Sequence, residues 1–205
     1  MTHTALPSGE VLNVSSPHTV MYAGYFHISP GSAASGSMTS FGAPQTRLAV
    51  TYDTELRQEL IDQAEASGLQ AETLREQNRS LDHGTFLPLF FHQEAGVNCP
   101  ILRIDLSCFS PLQHYQLGQC VSKEVDKLGR RAVIVASGDL SHKLMNNGPY
   151  GYAPEGLVFA LQATTAMESG NFLQFLTMDP PLCGRAAECG LRSSRSWPGR
   201  WTAWP

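Results

Sequence analysis

Residues Arg131–His142 read RAVIVASGDLSH, and this stretch decides the fold class. Ala132 to Ala136 form an unbroken apolar run with three β-branched side chains, the pattern of a strand covered on both faces. Ser-Gly-Asp then breaks the run and leaves His142 just beyond it. A strand is therefore predicted over 131–139, central in its sheet. Upstream, residues 111–128 place Leu117, Val121, Val125 and Leu128 on one helical face. CPILRIDLSC (99–108) is a second clear strand, and RLAVTYD (47–53) a third. Asp53 or Thr54 can cap the next helix, whose Leu56, Leu60, Ile61 and Ala64 share a face and whose natural stop is Gly68. VLNVSS (11–16), ended by Pro17, and the short YFHIS (25–29) also read as strands. Downstream, helices are predicted near 154–168, 171–177 and 181–192. PGSAASGSMTSFGAP (30–44), rich in Gly, Ser and Ala, reads as a loop, either a lid over a site or simply mobile chain. Strands alternating with helices predict an α/β fold with helices packed on a sheet.

At 205 residues the chain suits one domain with a real core, and 42% hydrophobic against 16% charged residues fits a globular protein. A net charge of -4 without a basic cluster argues against nucleic acid and against an anionic membrane surface as partners. No apolar run approaches the roughly 20 residues of a spanning helix. MTHTALPSGE has neither a charged start nor an apolar core, so no signal peptide is expected and the location is expected to be cytoplasmic. Cysteines 99, 108, 120, 183 and 189 are odd in number and lack CxxC spacing, as reduced thiols in a cytosolic protein do.

Three histidines accompany strand-like segments: His18 after VLNVSSP, His83 within SLDHGTFLPLFF, and His142 at the end of RAVIVASGDLSH. In α/β folds, side chains leaving the carboxyl ends of neighbouring strands converge on one crevice. Imidazoles and a carboxylate delivered there can build a metal-assisted site. Glu188 in RAAECGLRS, expected on the last helix, is the candidate carboxylate; in small apolar company it must be solvated, paired with Arg185 or Arg192, or bound to a metal. Asp139 could orient a ring nitrogen of His142 or cap the turn. Asp82 could fix the tautomer of His83, and Gly84 lets a ligand approach the backbone. Each reading has a structural alternative: a strand-end turn at His142, a capping turn at LDHGT, a salt bridge at Glu188. His27, His92 and His114 read as surface or core histidines, and Cys189 receives no ligand role.

Together, SSPHTVMYAGYFHISPG (15–31), FGAP (41–44), LDHGTFLPLFF (81–91), GRRAVIVASGDLSHKL (129–144), GPYGYAPEG (148–156) and AAECGLRS (186–193) resemble the class III extradiol ring-cleavage dioxygenases, the superfamily of the LigB-type catalytic subunit. The likeness is to the branch associated with AMMECR-type and radical-SAM proteins, to which Memo-like proteins are related. It implies an α/β fold with a central mixed sheet flanked by helices, spanning residues 1–193, incomplete at both ends. It implies a ferrous iron cofactor, with zinc as the other candidate metal, held by His18 and Glu188. His142 would act as acid and base on the substrate, and His83 would line the same pocket. The implied reaction inserts both atoms of dioxygen into a catechol-type ring beside its hydroxyl pair. A homo-oligomer, or an AMMECR-type or radical-SAM partner, is the implied assembly.

Two departures from the family pattern stand out. A Pro-His-Pro-Pro segment, whose histidine is the other metal ligand of the family, does not precede His18, so the resemblance implies a site one ligand short. The tail after Arg192, SSRSWPGRWTAWP, holds Trp197, Trp201 and Trp204 and shows no helix or strand pattern; residues 194–205 are expected to be a disordered, aberrant end. Codons for 196–205 exist that, read in another frame, encode Met-Ala-Gly-Ala-Leu-Asp-Gly-Leu-Ala, like the family's own continuation. A frameshift between Arg192 and Trp197 is therefore expected, along with an opened sheet edge and low solubility. Two other functions remain open on the sequence: a non-catalytic Memo-like binding or scaffold module, and a zinc-dependent hydrolase.

Overall fold

The computed structural model describes residues 10–74, 76 and 79–196, so Trp197, Trp201 and Trp204 lie outside the described residues. Three parallel strands form the centre: β1 (Glu10–Ser16), β6 (Ile101–Asp105) and β7 (Arg131–Ala136), in the order β6-β1-β7. Bridges extend this sheet past β6, parallel at Tyr52 and Ile101 and antiparallel at Ile28 and Ile104. A short parallel pair joins β2 (Phe26–His27) to β5 (Ala71–Glu72). The expected mixed sheet flanked by helices is present. Among the described residues, no helix is long and apolar enough to cross a membrane.

On one face, Val11, Leu102 and Ile104 meet Leu56, Leu60 and Ala64 of α1 (Thr54–Ala66) and Leu117, Val121 and Val125 of α3 (Pro111–Lys127). Both helices start where the sequence supplies caps. The Asp53 carboxylate accepts from the Leu56 amide at 3.0 Å. Ser110 and Gln113 form a capping box ahead of Pro111, offsetting amides a helix start would otherwise leave orphaned. On the other face, Leu12, Val14 and Ile101 pack with Phe86 and Leu89 of α2 (His83–Glu94) and with Leu48 and Val50. FLPLFF is therefore helical, and His83 opens a helix rather than trailing a strand. A third apolar cluster joins α4 (Pro154–Glu168), α5 (Gln174–Thr177), α6 (Pro180–Ala186) and α7 (Leu191–Ser194) around Phe159, Phe175 and Leu191.

Three expectations are corrected. Residues 30–44 are not a loop: β3 (Ala33–Met38) pairs antiparallel with β4 (Ala43–Thr51) around a 3-10 turn at Thr39–Phe41. At Gly36 the lack of a side chain reflects close packing, since a Cβ there would lie 2.9 Å from Leu81 Cβ. Second, β7 is not central. Among the described residues it pairs with β1 alone, at the edge of the sheet. Ala132 joins the α1–α3 core, yet Val133 is 55% exposed over a hollow of roughly 340 Å³ shared with Leu12, His92, Val97 and Cys99. An apolar run does not reveal which strand has two neighbours. Third, 181–192 is not one helix. Ala187 adopts φ 50°, ψ 49° and ends α6, so Glu188 and Cys189 sit in the link before α7.

Candidate functional site

The carboxyl ends of β1 and β7 deliver two loops to one place. After β1, Pro17 leads to His18; after β7, Ser137 and Gly138 lead to Asp139 and His142. The N-terminus of α2 brings His83 against His18, ring centroids 4.0 Å apart and tilted by 33°. Phe41, from the 3-10 turn of the hairpin, sets its edge on His83 at 5.2 Å. The His18 imidazole is pushed below its ordinary value, first by desolvation and then by His83, with Asp82 and Asp139 opposing and His142 adding a little. His18, His83, Asp139 and His142 thus share one electrostatic neighbourhood.

The β1–α2 side rests on a buried network. Asp82 caps α2, accepting from the Thr85 amide at 3.1 Å, the Thr85 hydroxyl at 2.7 Å and the Ser16 hydroxyl at 2.6 Å. Ser16 Oγ in turn accepts the His18 amide at 3.2 Å. Arg103, 1% exposed, lies 3.3 Å from Asp82 and 3.5 Å from Asp105, and Asp105 holds His27 Nδ1 at 2.7 Å. Burial pushes the Asp82 carboxyl up, but the Ser16 and Thr85 hydrogen bonds and the Arg103 charge outweigh it, and the carboxyl ends below its usual range. Asp82 does not fix the His83 tautomer as the sequence suggested, because its oxygens are taken by Ser16, Thr85 and Arg103. Gly84 has a local reason: a Cβ there would collide with Ser16 Oγ and come within 2.9 Å of His18 Cδ2.

The other side is two loops joined backbone to backbone. The amides of Cys189 and Gly190 both donate to the Asp139 carbonyl at 3.2 Å, and the His142 amide donates to Ala187 O at 3.3 Å. Ser141 Oγ donates to Ala186 O at 2.7 Å, and the Asp139 amide donates to Cys189 Sγ at 3.1 Å. Gly138, at φ 149°, meets Gly190 so closely that a Cβ would run into the Gly190 backbone. Asp139 faces His142 Nδ1 at 3.6 Å, an ion-pair separation that fits the orienting role read from SGDLSH. Tyr150 stacks on His142, centroids 4.7 Å apart and planes 20° apart.

Donor atoms of His18, Asp139 and Cys189 all lie within 4.8 Å of one another. Ligands of one tetrahedral ion stand roughly 3.5 Å apart, so these three side chains would have to close in from their present spacing to share one. Imidazole, carboxylate and thiol suit iron or zinc, and the donor set fits a divalent metal. The Glu188 carboxylate, by contrast, accepts the Leu191 amide at the start of α7, at 2.8 Å. Burial pushes its carboxyl up, with Leu191, Arg195, Arg192 and His142 acting against that. Glu188 is not among the donor atoms that gather with His18, which are those of Asp139 and Cys189. The sequence gives Cys189 no ligand role and Asp139 an orienting or turn-capping one; a clue was available, since SGD and ECG each put a donor beside a glycine able to approach closely.

Residues 7–195 match the family described as the catalytic LigB subunit of aromatic ring-opening dioxygenase. The chain belongs to the LigB family. It is similar to Protein CA_C1420 of Clostridium acetobutylicum, 32% identical over 184 residues, which cover 86% of this chain and 39% of that protein. The chain thus spans about two fifths of that relative's length. Among solved structures, the uncharacterized protein JW3007 from Escherichia coli K12 shares the fold, with a TM-score of 0.60 over 96% of this chain and 77% of that one at 15% identity. The LigB match spans every residue of the His18, His83 and His142 cluster.

Proposed function

We propose that this LigB domain binds a divalent metal, ferrous iron by family precedent, and cleaves a catechol-type ring beside its hydroxyl pair with dioxygen. The observation that carries the reading is the convergence of His18, Asp139 and Cys189 donor atoms next to two further imidazoles, His83 and His142. His18 is the metal ligand common to the sequence resemblance and the geometry. Asp139 and Cys189 complete the set, and Glu188, the carboxylate expected from the resemblance, is the rival to be tested against them. When bound, the ion supplies a Lewis acid for the diol oxygens and an electron donor toward dioxygen. The depressed His18 stays neutral at pH 7, its lone pair free for ligation. His142, oriented by Asp139 and held by Tyr150, takes a hydroxyl proton from the substrate at a ring nitrogen. His83 holds the diol from the α2 side.

The test is metal titration of anaerobically purified protein, followed by oxygen uptake on a panel of catechols. Iron-loaded protein is expected to consume one dioxygen per catechol and yield a ring-opened product. Cys189→Ala is expected to weaken metal binding by more than the roughly 10- to 100-fold that loss of an outer-shell partner costs, whereas Glu188→Gln leaves it near wild type; the reverse order restores Glu188 as ligand. A thiol in the donor set also favours zinc, which supports a zinc-dependent hydrolase as the second reading. Tight zinc with no oxygen uptake would point there, and no metal with no turnover would point to a binding or scaffold module.

A further inference from the structure

We propose that Phe41 and Tyr150 are the aromatic walls of the substrate site, selecting a flat aromatic diol over an aliphatic one. This rests on the catechol reading above. Both rings are conspicuously solvated, Phe41 at 60% and Tyr150 at 57% exposure. Neither belongs to any of the three apolar cores. Instead each is laid on an imidazole of the candidate site, Phe41 edge-on to His83 and Tyr150 nearly parallel to His142. The His83 ring centroid lies 4.0 Å from that of His18, and His142 Nδ1 lies 3.6 Å from Asp139, whose carboxylate is within 4.8 Å of a His18 ring nitrogen, so the rings flank one cluster from two separate segments.

Their placement is built rather than incidental. The hairpin bearing Phe41 is anchored where Gly36 abuts Leu81 and the Leu81 amide donates to Ser35 O at 3.1 Å. Gly42, at φ 76°, turns the chain back directly after Phe41. Around Tyr150, the Gly148 amide donates to Met145 O and the Gly151 amide to Gly148 O, while the Ala153 amide ties the segment to Lys143 O. Gly156 brings α4 against Ser141 and Lys143, next to His142. Two exposed rings held over polar imidazoles leave apolar faces in water, and a planar ring between or beside them would cover those faces. Aromatic surfaces prefer offset-stacked or edge-on partners, which an aryl ring supplies and a puckered aliphatic diol does not. The catechol hydroxyls would then meet the histidines while the ring meets the walls.

Binding of 4-nitrocatechol to the full chain, loaded with redox-inert zinc and followed by the ligand's absorbance, tests this. Phe41→Ala and Tyr150→Ala are each expected to raise the dissociation constant about three- to tenfold. Phe41→Leu, which keeps an apolar side chain, should fall between, and Tyr150→Phe should match wild type. Catechol should displace the probe and cis-1,2-cyclohexanediol should not. Zinc affinity, measured without the probe, should be the same in every variant. Wild-type probe affinity in both alanine variants would overturn the walls while leaving the catechol reading standing. Loss of zinc affinity in step with probe affinity would make the rings structural and overturn the proposal. Failure of the zinc-loaded wild-type chain to bind 4-nitrocatechol would overturn both.

Discussion

On the β1–α2 side of the site, Asp82 is enclosed and accepts from Ser16, Thr85 and Arg103; on the β7–α7 side, the Asp139 side chain is 63% exposed and touches His142 only at ion-pair distance. The first side holds the His18 backbone amide and the start of the helix that carries His83 through buried charge and hydrogen bonds. The second fixes its loops through backbone contact between two glycines and leaves the Asp139 carboxylate exposed and the Cys189 thiol half-buried. Preorganisation is thus concentrated on one wall, where His18 and His83 are held whether or not a ligand is present. The opposite wall keeps polar groups solvated until an ion or substrate gathers them, which costs less in the free protein than burying them unpaired.

The hardest blow to this asymmetry is Arg103→Met. Removing the cation leaves the Asp82 and Asp105 carboxylates buried without the charge that sits between them, with an expected loss of about 3–5 kcal/mol in urea unfolding. The same charge removal at Asp139, by Asp139→Asn, should cost almost nothing in stability while weakening metal binding. Equal costs at the two positions would end the distinction between the walls.

A pH titration probes the seam where α3 meets α7. Burial pushes His114 down to about 4; the Ser110 carbonyl opposes this, and the Arg192 and Arg195 charges add to it. Its folded value lies below the unfolded value of 6.5, so the stability is fully present above 6.5 and is lost as pH falls toward 4. At about 1.4 kcal/mol per unit, the loss reaches about 3 kcal/mol by pH 4. His114→Gln should flatten that slope; an unchanged slope would assign the acid sensitivity to other groups. Smaller again is Gly138→Ala. Its positive φ and the Gly190 backbone both oppose a Cβ, at about 1–3 kcal/mol, and separating the loops should lower metal affinity as well. Stability and metal affinity both at wild-type values in Gly138→Ala would show that the glycine contact does not hold the wall together.

Legibility in the sequence follows the same division. β1, α1, β6, α3 and α4 were readable because periodicity and caps act locally: Leu56, Leu60 and Ala64 face one core whatever else the chain does. His18, His83 and His142 were readable as a cluster because strand ends and a helix start converge by topology. The buried network was written in CPILRIDLSC, where Arg103 and Asp105 fall two apart on one strand face, but its meaning depends on Asp82 arriving from 21 residues upstream. The hairpin was masked by its small residues, whose need shows only in the packing of Gly36 against Leu81. The choice between Glu188 and Cys189 hangs on a single backbone angle at Ala187, for which the residue type gives no warning, since alanine rarely adopts positive φ.

The smallest effect on stability belongs to β7, and it carries the contrast beyond the site. Val133 is exposed on a strand with one neighbour among the described residues, beside an open hollow, so its outer edge and its uncovered face both invite another chain. Val133→Lys should change unfolding free energy by no more than about 0.5 kcal/mol, because little packing is lost. It should nonetheless raise the concentration at which light scattering first detects aggregates, since a charge on an edge strand opposes strand pairing. If scattering begins at the same concentration, β7 is not the adhesive surface. The solvated apolar face of α4, at Leu157, Val158 and Leu161, then becomes the place to substitute next.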